Sequence, residues 1–257
     1  MSEVIFEDNF DTFDTSKWKI VGSHPKFNVT ASNGWLHILF DKIASDGGYY
    51  ENWASVCTRA PLDLSNKTVK VRFDLEPKKI SPEHPVDDYC VGVMLANKET
   101  ITGNPIFKPD ADLNALIYLF HMVFQTPVGK LAFVVNKGVP THYLGVAPVL
   151  FPPTEFELLV GLTKVTTMEE GVEDLTLPLT ADPTNLYLHL FVFQVEDGVY
   201  ILPSRASFDY VKVEKGPYIF EYPKPEVSLM SMLQQVLPAI MMLIMVSSIL
   251  RIVGRIK

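Results

Sequence analysis

Cysteine is nearly absent: the 257 residues include two, Cys57 and Cys90. Two thiols cannot complete a four-ligand structural metal site, and no C-x-x-C spacing occurs. Both lie in apolar runs, "ASVCTRA" and "YCVGVML". Buried free thiols are therefore expected, with a single disulfide as the alternative. Positive charge is also scarce. The last seven residues contain three of the 22 basic residues, so the 19 in the rest of the chain face all 30 acidic ones. No basic stripe interleaved with aromatics appears, which excludes a nucleic-acid surface, because neutralising phosphates takes clustered Lys and Arg. The common signatures of catalysis and cofactor binding are missing too: G-x-S-x-G, the P-loop, G-x-G-x-x-G and H-E-x-x-H. The six histidines, at 24, 37, 84, 121, 142 and 189, form no short metal-ligand spacing. His37, His121 and His189 fall in apolar runs and read as hydrogen-bonded sheet or core groups, with metal ligation or pH sensing as the alternative. The opening "MSEVIFEDNFDTF" has no basic segment followed by an apolar one, so no secretory signal is expected.

One stretch lacks charge entirely. Residues 227–250 carry no Asp, Glu, Lys or Arg, and Arg251, Arg255 and Lys257 follow at once. As a helix this stretch would extend about 36 Å, enough to cross a hydrocarbon layer of roughly 30 Å. From Val236 to Val246 no polar face recurs at the helical period. The expected element is a single C-terminal transmembrane helix, with Val227, Met241, Met245 and Leu250 among its anchor residues and Arg251 at its basic end. Pro238 would leave one backbone carbonyl to a neighbour, as membrane helices tolerate. A buried or oligomerising helix is the alternative reading, and the many methionines suit that role as well. "GPYIFEYPKPE" at 216–226 reads as a short stiff stalk. The expected organisation is therefore a domain over 1–215, a stalk over 216–226, a membrane span over 227–250 and a basic tail over 251–257, giving a single-pass membrane protein.

The body reads as strands. In "KTVKVRFDLE", Val69, Val71, Phe73 and Leu75 alternate with Lys70, Arg72, Asp74 and Glu76, the pattern of a half-buried strand. "GWLHILF", "YCVGVMLA", "NALIYLFHMVFQ", "KLAFVVN", "EFELLVGLT" and "NLYLHLFVFQV" are further candidates, several of them apolar on both faces. The stretches between them, including "NKGVPTHYLG" and "TTMEEGVEDLTLPLTADPT", read as turn-rich. Many short strands and no amphipathic helix ahead of the tail predict an all-β antiparallel sandwich or barrel.

Phe6, Asp8, Phe10, Asp11, Asp14, Lys17 and Trp18 follow an F-x-D-x-F-D-x-x-D-x-x-K-W pattern. "SFDYVKVEK" supplies a D-Y-V-x-V pattern from Asp209 to Val213. The first resembles the opening strand and turn, and the second the closing strand, of concanavalin A-like lectin/glucanase domains. That resemblance implies a jelly roll of two curved antiparallel sheets with a concave face, and with its two ends side by side. Such domains include lectins, laminarinase-type glycoside hydrolases and structural modules, so the fold does not choose among functions.

The hydrolases of this type carry E-x-D-x-E or E-x-D-x-x-E on one strand face, and neither motif is present here. Asp74 with Glu76, and Glu155 with Glu157, are the nearest pairs, and both read as solvated strand faces. Sugar binding on the concave face would use aromatic platforms, for which Trp35, Tyr49, Tyr50, Trp53 and Tyr118 are candidates. No cofactor is expected, although Asp8, Asp11 and Asp14 make calcium possible; a capped turn is the plainer reading of them. The resulting expectation is a protein without enzymatic activity. It would be a membrane-anchored β-sandwich acting as a structural or recognition module on a cell envelope or on a virion with a membrane. Its partners would be the lipid bilayer, copies of itself or neighbouring envelope proteins. A glycan-binding, lectin-like surface protein is the alternative, and a diverged glycoside hydrolase the third reading.

Overall fold

The alternation at residues 67–74 becomes a strand that buries Val69, Val71 and Phe73 and leaves Lys70 and Arg72 half-exposed. A computed structural model describes residues 3–22, 27–40, 53–74, 88–123, 126–145, 154–169, 171–194 and 204–216. In chain order its strands are β1 (Val4–Asp8), β2 (Trp18–Gly22), β3 (Phe27–Ser32), β4 (Trp35–Phe40), β5 (Trp53–Thr58), β6 (Lys67–Asp74), β7 (Asp88–Ala96) and β8 (Ala115–Val123). They continue as β9 (Thr126–Asn136), β10 (Val139–Gly145), β11 (Thr154–Val160), β12 (Lys164–Glu169), β13 (Val172–Pro178), β14 (Tyr187–Gln194) and β15 (Ser204–Lys215).

Two antiparallel sheets result. Sheet A runs β13-β12-β11-β6-β15-β4-β3, with β1 also paired to β15, and sheet B runs β10-β9-β8-β7-β14-β5-β2. The first and last strands lie side by side, with Phe6 opposite Val213 and Asp8 opposite Val211, as the resemblance implied. The opening motif has a mechanical reason. Asp8 accepts hydrogen bonds from the Trp18 indole at 2.8 Å and from the Phe10 amide at 2.9 Å. Phe10, at φ 53°, and Phe6 then close on the Trp18 ring at 5.8 and 5.4 Å.

The sandwich core is aromatic at its centre. The Phe73 ring lies 5.3 Å from Phe120, 5.3 Å from Phe208 and 6.2 Å from Phe156, and so joins the two sheets. The double-faced apolar runs have a separate cause. On β8, Leu116, Tyr118 and Phe120 enter the sandwich core. Ala115, Ile117 and Leu119, on the opposite face of the strand, join a second cluster with Met94, Val135 and Phe191. A strand buried on both sides has no polar alternation to display.

Three readings change. "TTMEEGVEDLTLPLTADPT" contains the β12–β13 hairpin, whose inward side chains include the polar Thr167 and Glu169, which hid the pattern. "NKGVPTHYLG" contains edge strand β10 after a two-residue turn, Lys137–Gly138, with both φ positive at 49° and 73°, a geometry matched to strand twist. The disulfide alternative fails: both cysteines are free and buried, and β14 separates their strands. The chain divides into two units, Met1–Tyr218 and Ile219–Lys257. The expected stalk, span and tail, with Val227, Pro238, Met241, Met245, Leu250 and Arg251, lie outside the described residues. Among the described residues no helix is long and apolar enough to cross a membrane.

Candidate functional site

Sheet B turns one face away from the sandwich core. Trp53 and Cys57 from β5, Cys90, Met94 and Ala96 from β7, Ala115, Ile117 and Leu119 from β8, Val135 from β9 and Phe191 from β14 supply buried side chains on that face. The segment joining β7 to β8, residues 97–114, folds onto part of it and adds Ile101, Ile106 and Leu113. The segment is held by its own polar groups. Asp110 accepts from the Thr102 hydroxyl at 2.6 Å and the Gly103 amide at 3.0 Å, and Asn97 and Asn114 bond each other's backbones. The sheet holds it as well, through Lys19 to Glu99 at 3.1 Å and to Thr100 at 3.1 Å.

A third tie comes from His189. Its Nε2–H donates to the Lys98 carbonyl at 3.0 Å, which leaves Nδ1 to accept from the Ser55 hydroxyl at 3.1 Å. Cys57 Sγ lies 3.4 Å from Nε2, and burial pushes its thiol pKa up, with Glu99 adding to the effect. Burial pushes the His189 pKa down from 6.5 to about 4, against opposing pulls from the Lys98 carbonyl and Glu99. Above the unfolded value the ring is neutral in both states and this interaction is complete. Between 6.5 and about 4 the unfolded chain binds a proton that the folded chain refuses. His189 alone is therefore expected to remove about 3 kcal/mol of stability across that window. Urea unfolding at pH 7.5 and 4.5 checks this, because the His189→Phe variant should lose less stability on acidification than the native chain.

Toward the β9–β10 edge the cover ends. Leu131 and Phe133 are half-buried, while Pro140 and His142 are exposed. Phe133 and His142 are direct cross-strand partners, and their rings stack at 4.8 Å and 13°. This ring pair is an accessible aromatic surface on the outer face of sheet B, where Tyr187 on β14 is also half-buried.

Beneath β9 lies a different group. Lys130 points between the sheets with its side chain 2% exposed, contacts Glu169 and lies 3.5 Å from Asp174. The Tyr118 hydroxyl donates to Asp174, and burial and that carboxylate push the phenol pKa up. The side chains of Lys130, Glu169 and Asp174 in this cluster are 2%, 6% and 9% exposed.

Of the aromatic candidates, Trp35, Trp53 and Tyr118 are described, and they are not brought together. Trp35 is half-buried on β4 of sheet A, and Tyr49 and Tyr50 lie outside the described residues. Trp53 is on the outer face of sheet B but fully enclosed, its ring stacked on Phe191 at 5.7 Å. Tyr118 is in the sandwich core, 4.6 Å from Phe156. A platform must present an open ring face, which Trp53 and Tyr118 do not. Glu155 and Glu157 face outward on sheet A, where Glu155 accepts from Tyr210 and Glu157 lies 3.3 Å from Lys70. Glu76 lies outside the described residues. Asp8, Asp11 and Asp14 are each engaged locally, Asp8 with Trp18, Asp11 with Asn9 and Asp14 with Ser16. Among the described residues no group of three or more His, Cys, Asp and Glu could hold a metal ion. Phe133 and His142 were missed because "THYLG" resembles a turn; the signal that could have found them is the Lys137–Gly138 pair between two strand-length segments.

No family model matches this sequence, and no curated protein matches it. Solved structures match in fold. The catalytic domain of an endo-1,3-β-glucanase (laminarinase) from Thermotoga petrophila superposes with a TM-score of 0.57 at 13% identity, covering 84% of this chain and 98% of that one. A non-specific endo-β-1,3(4)-glucanase from family GH16 gives 0.57 at 16%, covering 84% and 91%. An immunostimulatory antigen and pseudo β-1,3-glucanase of Mycobacterium tuberculosis gives 0.54 at 12%, covering 82% and 98%. The fold is thus the concanavalin A-like jelly roll of the glucanases. Two expectations are corrected by these likenesses. A non-catalytic structural module of an envelope or virion, and a protein with no enzymatic activity, both give way because the body superposes on nearly whole glucanase domains.

Proposed function

We propose that this protein binds a glycan on the outer face of sheet B, at the open margin formed by β9 and β10. The observation that carries the reading is the exposed His142 ring on edge strand β10, backed on one face by the half-buried Phe133, on a glucanase-like jelly roll. An aromatic face carries negative charge density, which attracts the C–H face of a pyranose ring. Among the described strands β10 is a sheet edge, so its outward backbone groups have no ladder partner there and can bond sugar hydroxyls. Phe133→Ala and His142→Ala are each expected to weaken binding of the full chain to laminarin or mixed-linkage β-glucan roughly three- to tenfold. Affinity electrophoresis measures this; unchanged mobility shifts in both variants would remove the site.

Hydrolysis of the bound glycan is the second reading, favoured by the likeness to catalytic domains. A retaining mechanism needs two carboxyl groups about 5–5.5 Å apart. None is found among the described buried side chains of this face, so other positions would have to supply them. Release of reducing ends from the same glucans is the measurement, and its absence across the panel would end this reading. The charge-free run at 227–250 supports a lipid tether for the domain, so the full chain should stay with membranes in alkaline carbonate. Release into the supernatant would argue against the tether.

A further inference from the structure

We infer that the binding margin accepts the terminal one or two sugars of a glycan and excludes the interior of a long chain. The inference rests on the glycan reading and concerns how much of sheet B a sugar chain can reach. The centre of the outer face is closed: Ile117 and Leu119 on β8 and Phe191 on β14 are each 0% exposed. Part of that closure is the apolar side of segment 97–114, pinned through Lys98 to His189. A chain crossing the sheet from β10 toward β2 would therefore meet filled volume at the third strand.

The hairpin end of the margin is closed as well. Val135, the next outward residue on β9 beyond Phe133, is 0% exposed. The Gly138 amide donates to the Leu113 carbonyl at 2.9 Å, and a Cβ at Gly138 would lie 2.7 Å from the Asp110 carbonyl oxygen. The turn and the covering segment are thus in direct contact, with no groove between them. What remains is two strands wide, about 10 Å, a width that suits one or two pyranose rings entering from the edge. An open glucan cleft would reward each added sugar; among the described side chains this margin has nothing to offer beyond the second.

Isothermal titration of the full chain with laminaribiose through laminarihexaose, cellobiose through cellohexaose, and a linear and a cyclic β-glucan of the same linkage tests the inference. Affinity should level off at the disaccharide, staying within about twofold up to the hexasaccharide, and the cyclic glucan, having no terminus, should not bind. Affinity that climbs tenfold or more from disaccharide to hexasaccharide, or equal binding of the cyclic glucan, overturns the terminal-sugar inference and leaves the glycan reading in place. Absence of heat with every sugar and polymer overturns the glycan reading, and this inference falls with it. Phe133→Ala should lower affinity for disaccharide and hexasaccharide by the same factor; a loss confined to the hexasaccharide also overturns the inference.

Discussion

Lys130→Ala is expected to lower the stability of the domain by about 3–5 kcal/mol, among the largest effects of any single charged residue. The ammonium is 2% exposed and holds Glu169, with Asp174 at 3.5 Å. Removing it leaves the Glu169 and Asp174 carboxylates without the cation between them in the core, where the Tyr118 hydroxyl donates to Asp174. The cost comes from keeping that negative charge buried without its cation more than from the lost attraction. Two charges taken out of water regain little when paired, but one left alone has no compensation. The combined variant Lys130→Met, Glu169→Gln, Asp174→Asn removes every charge and should therefore sit closer to the native chain than Lys130→Ala does. Urea unfolding at neutral pH compares the three proteins. A loss under 1 kcal/mol for Lys130→Ala would mean that water reaches the cluster.

Phe73→Ala should cost a similar amount, about 3–5 kcal/mol, through a different mechanism. The Phe73 ring touches sheet A neighbours Phe156 and Phe208 and reaches Phe120 across the sandwich. Truncation removes the transfer energy of the ring and leaves a cavity whose aromatic walls are fixed by their own strands. The thermal midpoint should fall by roughly 10 °C in a domain of this size. Phe107, 57% exposed, serves as the control, because Phe107→Ala should change stability by less than about 0.5 kcal/mol.

The strands were legible where one face is wet. Residues 67–74 show their alternation because Lys70 and Arg72 remain near water and bridge to Glu157 and Asp209 on neighbouring strands. Strands β12 and β10 were not legible. In β12, Thr167 and Glu169 are buried polar residues whose partners come from β13 and β9, so the inward face does not look apolar. In β10, an edge position leaves Thr141 and His142 exposed, and exposed polar residues beside a Gly read as a loop. The site was less legible than the fold. Tyr118 and Trp53 have the composition of a sugar platform, and only packing shows that their ring faces are occupied.

By itself the amino-acid order determined that this chain is all-β in its body, and the motifs at both ends of the body carried the resemblance that implied a shared sheet for them. Those properties follow from local alternation and short motifs, which are written along the chain. Tertiary structure alone decided which aromatic surface stays open. Segment 97–114 and the outer face of sheet B bury each other, and burial is a property of pairs of segments distant in sequence. Phe133 and His142 became neighbours through strand register, which no single segment encodes.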